Sequence, residues 1–190
     1  SCGRSEAWGL DPKVPEQYQP VLFSGYGVFG QRGHQIPSAD RQILAYNRET
    51  FYGTNMTPQN GTLNTGVWSE LENYVRARCA SFDTLYVVTG CTVDGSRGKA
   101  YDNVGKAVTI PSGYYKALLG YSSKSTIGKT GSQGGYTGVA FYMPNEGISG
   151  KYMDYSMTIS ELEAKVGVDF FVNLPAVIGA SNANKVQTSE

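Results

Sequence analysis

The stretch from Trp68 to Gly90 limits the fold most. Trp68, Leu71, Val75 and Cys79 recur at spacings of three, four and four, so a helix there carries one apolar stripe. Glu70, Glu72, Arg76 and Arg78 fall mainly on its other faces. Thr84-Leu85-Tyr86-Val87-Val88-Thr89-Gly90 follows, a β-branched and aromatic run closed by glycine, which reads as a buried strand. Further strands are expected at 106–110, stopped by Pro111, at 114–120, and at 137–143, stopped by Pro144. A second helix opens at Thr158, where Glu161 completes a capping box, and ends near Gly167. Asp169-Phe170-Phe171 then returns an apolar segment to the core. Residues 1–33 read as irregular chain, because Asp11-Pro12 and Val14-Pro15 block a helix. Hairpin-length connections between most strands predict an α+β domain around a largely antiparallel central sheet, flanked by helices and long loops. One domain is expected over 1–178, with 179–190 a polar, frayed tail.

Composition narrows the chemistry. With 40% hydrophobic and 17% charged residues among 190, the chain is globular rather than disordered. Sixteen basic residues balance sixteen acidic ones, and the first 110 residues carry ten of each, so no half has the basic excess of a general phosphate binder. Any anion site is therefore built from local arginines. No apolar run reaches the ~20 residues of a membrane helix. Ser1–Asp11 lacks the apolar stretch of a signal peptide, so export implies a signal already removed. Cys2, Cys79 and Cys91 are too few and too scattered for a zinc cluster. Cys79 and Cys91 flank a strand of roughly 20 Å, which sets them too far apart to bridge and makes Cys2 the expected partner of either. The single histidine, His34, excludes every scheme that needs two imidazoles.

Three motif matches fail on context. Gly25-Tyr26-Gly27-Val28-Phe29-Gly30 fits a dinucleotide fingerprint, but Gln31 to Pro37 cannot form the helix that must follow. Gly128-Lys129-Thr130 lacks the earlier glycine of a phosphate loop, since Ser123 stands there. Asn55-Met56-Thr57 and Asn60-Gly61-Thr62 are formal glycosylation sequons of the kind that arise by chance.

The residues from 31 to 76 carry a more specific pattern. If helical geometry extends back to Asn64, then at about 100° per residue Asn64, Glu72 and Arg76 share one side of the helix. An amide oxygen and a carboxylate so placed suit a hydrated hard cation, because magnesium keeps several waters and needs few protein ligands. On the helix alone, an ordinary exposed Glu72–Arg76 pair is the favoured reading. His34 tips the balance. In Arg32-Gly33-His34 an extended backbone places arginine and imidazole on one face, and an imidazole of pKa about 6.5 can take a proton from water. Activity is then expected to rise with pH through that value.

These residues resemble the DNA/RNA non-specific endonucleases of the ββα-metal fold. The family's Asp-Arg-Gly-His is similar to Gln31-Arg32-Gly33-His34, and its Thr-Asn-Met-x-Pro-Gln segment to Thr54-Asn55-Met56-Thr57-Pro58-Gln59. Intervals of 21 from His34 to Asn55, nine to Asn64, eight to Glu72 and four to Arg76 agree with the family spacing. Leu85–Gly90, Ile110-Pro111, Met143–Glu146 and Asp169–Phe171 extend the likeness to about residue 175.

The resemblance implies a magnesium-dependent nuclease, with Mn2+ or another divalent ion an alternative. It makes His34 the general base, Asn64 the direct metal ligand and Glu72 the holder of metal-bound waters. Arg32 and Arg76 bind phosphate, and Asn55 positions the site. DNA and RNA are expected to bind through backbone phosphates and to yield 5′-phosphate ends. The resemblance also implies a secreted, periplasmic or cell-surface location and leaves room for a homodimer or a protein inhibitor. Two features depart from the family pattern. Gln31 replaces the motif aspartate, and the β segment expected ahead of Arg4 to Pro15 is missing. A second reading follows from them, a nuclease-fold domain that binds nucleic acid with weak or no turnover. A third, a carbohydrate-binding β domain, rests on the 14 tyrosines alone.

Overall fold

The computed structural model describes residues 1–27, 29–124 and 135–189. The first elements in chain order are β1 (Gln31–His34), α1 (Leu44–Glu49), β2 (Met56–Gln59), α2 (Gly61–Thr65) and α3 (Val67–Cys79). The strands β3 (Thr84–Thr92), β4 (Lys99–Tyr101), β5 (Ala107–Thr109), β6 (Gly113–Ser122) and β7 (Gly135–Pro144) follow. β8 (Ser156–Met157), α4 (Ile159–Val166), α5 (Leu174–Ile178) and α6 (Ala180–Thr188) complete the order. The chain divides into two compact units, one of Ser1–Ser69, Cys91–Gly113 and Pro144–Ser149, the other of Glu70–Gly90, Tyr114–Met143 and Gly150–Glu190.

In the first unit β1 pairs antiparallel with β2, and β4 with β5. Leu22, Tyr26, Met56, Ala100 and Ile110 form its buried cluster, with Trp8, Phe29 and Val108 against it. Gly25, Gly27 and Gly30 all have positive φ and lead into β1, not into a helix, so the glycine run is a turn and not a dinucleotide loop. The Gly128-Lys129-Thr130 match lies outside the described residues.

In the second unit the sheet runs β3-β6-β7-β8, with β7 and β8 antiparallel. Ile159 and Leu162 of α4 pack with Ala117, Ala140 and Phe170, so the apolar face of a short capped helix closes on the sheet. The capping box is present in full: Thr158 accepts from the Glu161 amide, Glu161 accepts from the Thr158 amide, and Gly167 ends the helix at φ 69°.

Four expectations are corrected. β3 is not a buried strand but the sheet's edge, with Tyr86 and Val87 exposed, because β6 covers it on one side only. The buried strand is β6, whose Ala117, Leu118 and Leu119 are all enclosed. Helical geometry does not run unbroken back to Asn64. Gly66 (φ −104°, ψ −117°) separates α2 from α3, and a Cβ there would come within 2.6 Å of the Thr62 carbonyl. The tail is not frayed: α6 docks Ala183 and Val186, one turn apart, into a cluster with Leu119, Leu174 and Ile178. All three cysteines are free thiols, so the expected bridge through Cys2 is not made, and the cysteines lend export no support.

Candidate active site

The first unit builds its site on two four-residue strands of weak propensity. Registry pairs Gln31 with Gln59, Arg32 with Pro58, Gly33 with Thr57 and His34 with Met56. Gly33 is needed here because any β-carbon would overlap the buried Gln59 side chain. Alternation along β1 sends Arg32 and His34 to one face, as expected, and Gln31 to the other.

On the first face three aromatic rings and two arginines meet. His34 stands edge-on to Phe51 at 5.1 Å and to Trp8 at 6.0 Å between centroids, and Trp8 meets Phe51 at 4.8 Å. The guanidinium of Arg32 lies 3.4 Å over the Trp8 ring and donates through Nη1 to the carbonyls of Leu22 (3.1 Å) and Phe23 (3.0 Å). Its fork carries further donors that can meet an anion. Arg4 lies over Phe51 at 4.8 Å and pairs with Glu6. Burial, then the positive charges of Arg4 and Arg32, against an opposing contribution from Glu6, push the His34 pKa down to about 4. The imidazole is therefore neutral at physiological pH, and its Nε2 is buried with no hydrogen-bond partner.

On the other face Asn64 donates through Nδ2 to Gln31 Oε1 at 2.7 Å. Asn64 is thus reached through Gln31, and this bond turns its amide oxygen, the hard donor, away from Gln31. Asn60 caps α2, accepting from the Thr62 and Leu63 amides. Asn145 in turn holds Asn60: its Oδ1 accepts from the Asn60 amide (2.8 Å), and its Nδ2 donates to the carbonyls of Pro58 (3.0 Å) and Pro111 (2.9 Å). Asn145 is 2% exposed, so Asn145→Ala strands two buried carbonyls and one partly buried amide and is expected to cost about 3 kcal/mol in urea unfolding. A loss below about 1 kcal/mol would show the clasp to be dispensable.

Asn55 is fully engaged with backbone. Its Oδ1 accepts from the Ile36 amide (3.0 Å), and its Nδ2 donates to the Ile36 and Thr50 carbonyls (both 2.9 Å). It fixes the chain leaving His34. Glu72 and Arg76 lie half-buried on the part of α3 that belongs to the second unit, where Arg76 Nη2 donates to Asn73 Oδ1 at 2.7 Å.

The structure therefore joins Arg32 to His34 and Gln31 to Asn64, and adds Trp8, Arg4, Glu6, Phe51 and Asn145. Trp8 and Arg4 carried no signal, because the first 33 residues read only as irregular chain. No group of three His, Cys, Asp or Glu suited to a metal occurs among the described residues. That donor set fits no zinc site, but it fits a cation that keeps its waters and needs little beyond an amide oxygen.

Two short antiparallel strands followed by helices, within an α+β chain, define a ββα fold. The crystal structure of the EndoG/EndoGI complex, described as showing the mechanism of EndoG inhibition, shares this fold with TM-score 0.65. That match is 24% identical and covers 86% of this chain and 68% of that one. A family model for DNA/RNA non-specific endonucleases matches residues 1–177, and the chain belongs to that family. A nuclease of Nostoc sp. is 34% identical over 88% of this chain and 59% of its own length. The mitochondrial nuclease EXOG of Danio rerio is 32% identical over 85% and 48%. A nuclease of Serratia marcescens is 28% identical over 97% and 68%. The chain thus spans about half to two thirds of the length of these relatives. Among the described residues no helix is long and apolar enough to cross a membrane.

Proposed function

We propose that the protein is a magnesium-dependent endonuclease that hydrolyses DNA and RNA phosphodiester bonds with little sequence preference. One observation carries the reading: the chain's single imidazole is neutral, has an unpartnered Nε2, and sits beside Arg32 and Arg4. In this reading Arg32 and Arg76 bind the phosphate, and His34 takes the proton of the attacking water. The bond between phosphorus and the 3′ oxygen breaks, the oxygen takes a proton from water to become a 3′-hydroxyl, and the other fragment keeps a 5′-phosphate. Asn64 would hold the cation through its amide oxygen and Glu72 would do so through water, and such a cation would supply positive charge against the charge building on phosphorus and on the leaving oxygen. Because phosphates are bound and not base edges, cleavage is nearly sequence-blind. Plasmid DNA and RNA are expected to be cut with magnesium and spared with a chelator. Cutting that survives chelation, or no cutting at all, would count against the proposal.

The second reading, binding with weak turnover, is favoured by Gln31. A carboxylate at that position only accepts hydrogen bonds, whereas an amide can turn and offer its nitrogen to the Asn64 oxygen, competing with a cation. Under this reading Gln31→Asp raises cleavage severalfold, and wild-type protein retains DNA without cutting it. A homodimer, a protein inhibitor and a secreted, periplasmic or cell-surface location remain part of the proposal drawn from the family.

A further inference from the structure

We propose that Trp8 is a positioning residue of this site, seating the Arg32 guanidinium on its face and, with Phe51, walling off the His34 imidazole. The segment that carries it is fixed along its length. Cys2 donates to the Gln42 carbonyl at 2.8 Å, Ser5 to Asn47 Oδ1 at 2.9 Å and Gly9 to the Phe51 carbonyl at 3.4 Å, while Gly53 donates to the Gly9 carbonyl at 3.1 Å. Glu6 adopts φ 51°, a left-handed backbone that side chains rarely take, and this turn lets its Oε2 accept from the indole Nε1 at 2.9 Å. The indole is therefore held by its edge while its face meets Arg32 at 3.4 Å, well inside the range of cation–π attraction. The carbonyls of Leu22 and Phe23 hold the same guanidinium through Nη1, so it is located by stacking and by hydrogen bonds together. The charged groups acting on His34 are Arg4, Arg32 and Glu6, and two of them contact Trp8 closely. Trp8 thus sets the place of an anion-binding group and the environment of a base at once. The inference rests on the nuclease reading for what Arg32 and His34 do, not for where they sit.

His34 is the only histidine, so its ring resonances titrate without overlap in the intact chain. In Trp8→Ala the His34 midpoint is expected to rise by about one unit or more as water enters. Affinity for duplex DNA, read with a chelator present to prevent cutting, is expected to fall roughly fivefold or more as Arg32 loses its seat. Trp8→Phe, which keeps an aromatic face, should restore most of both. A folded Trp8→Ala protein with an unmoved midpoint and DNA affinity within twofold of wild type would overturn the proposal. Should that variant not fold, the unsubstituted protein still decides: the side-chain protons of Arg32 must show the upfield ring-current shift of an indole overhead, and their absence overturns it. Neither NMR readout needs metal or nucleic acid. A protein that never cuts DNA but shows both keeps Trp8 and loses the nuclease reading, whereas cutting with unmoved resonances does the reverse.

Discussion

His34→Gln is expected to lower kcat for DNA and RNA cleavage by about a hundredfold to ten-thousandfold while DNA affinity stays within a few fold. A general base contributes about that range, and the chain has no second imidazole to take over. Glutamine is the better replacement because it keeps bulk between Trp8 and Phe51, which otherwise face a void. Binding survives because Arg32 is seated by Trp8 and by two backbone carbonyls, independently of the imidazole. The comparison with Arg32→Ala separates the roles: there affinity is expected to fall along with turnover, since under the proposed function the group removed is the one that meets the phosphate. Retention of more than a tenth of wild-type kcat in His34→Gln would remove His34 from the chemistry.

The parts of the fold legible in the sequence are those whose stability is local. Thr158, Glu161 and Gly167 announce α4 by capping chemistry that needs no distant partner, and the structure forms each bond. The stripe of Trp68, Leu71 and Val75 announces α3, and all three are buried. The β1–β2 pair was not legible as strands, since Gly33 and Pro58 are poor strand formers and the pairing depends on Gln59 filling the space a side chain at 33 would occupy. α1 was missed because Leu44 and Tyr46 are exposed, so no apolar periodicity marks it. β3 was read as buried because a run rich in Val, Leu and Tyr looks the same at an edge as in a centre.

The candidate site divides in the same way. Arg32 and His34 were legible by alternation along an extended segment, and Asn64 by its interval from the motif. Trp8 was not legible, because its contacts cross from an irregular segment to β1 and depend on a left-handed turn at Glu6 that no sequence pattern marks. The His34 pKa departs from its unperturbed value for the same reason, although the imidazole is neutral at physiological pH as expected. An imidazole with unperturbed pKa would lose its proton near pH 6.5, but the ring is enclosed by Trp8 and Phe51 and flanked by two arginines.

That enclosure predicts a pH profile unlike that of a free histidine. With the pKa near 4, kcat/KM is expected to be level from about pH 5 to 8 as far as His34 governs it, and to fall toward tenfold per unit only below about pH 4. The sign follows from the base role: protonation removes the lone pair, so activity is lost on the acid side. Stability carries a linked signature. The folded pKa lies below the unfolded value, so the contribution of His34 is fully present above about pH 6.5 and is lost as pH falls from there to about 4. Burial is incomplete, so the loss is of the order of 2–3 kcal/mol across the window. Urea unfolding at pH 6.5 and pH 5 isolates the effect, since most carboxylates remain ionised there. His34→Gln should flatten that interval of the stability curve. An activity profile that rises steeply between pH 6 and 7, with stability unchanged from pH 6.5 to 5, would mean that the imidazole is open to water and that the aromatic wall does not enclose it in solution.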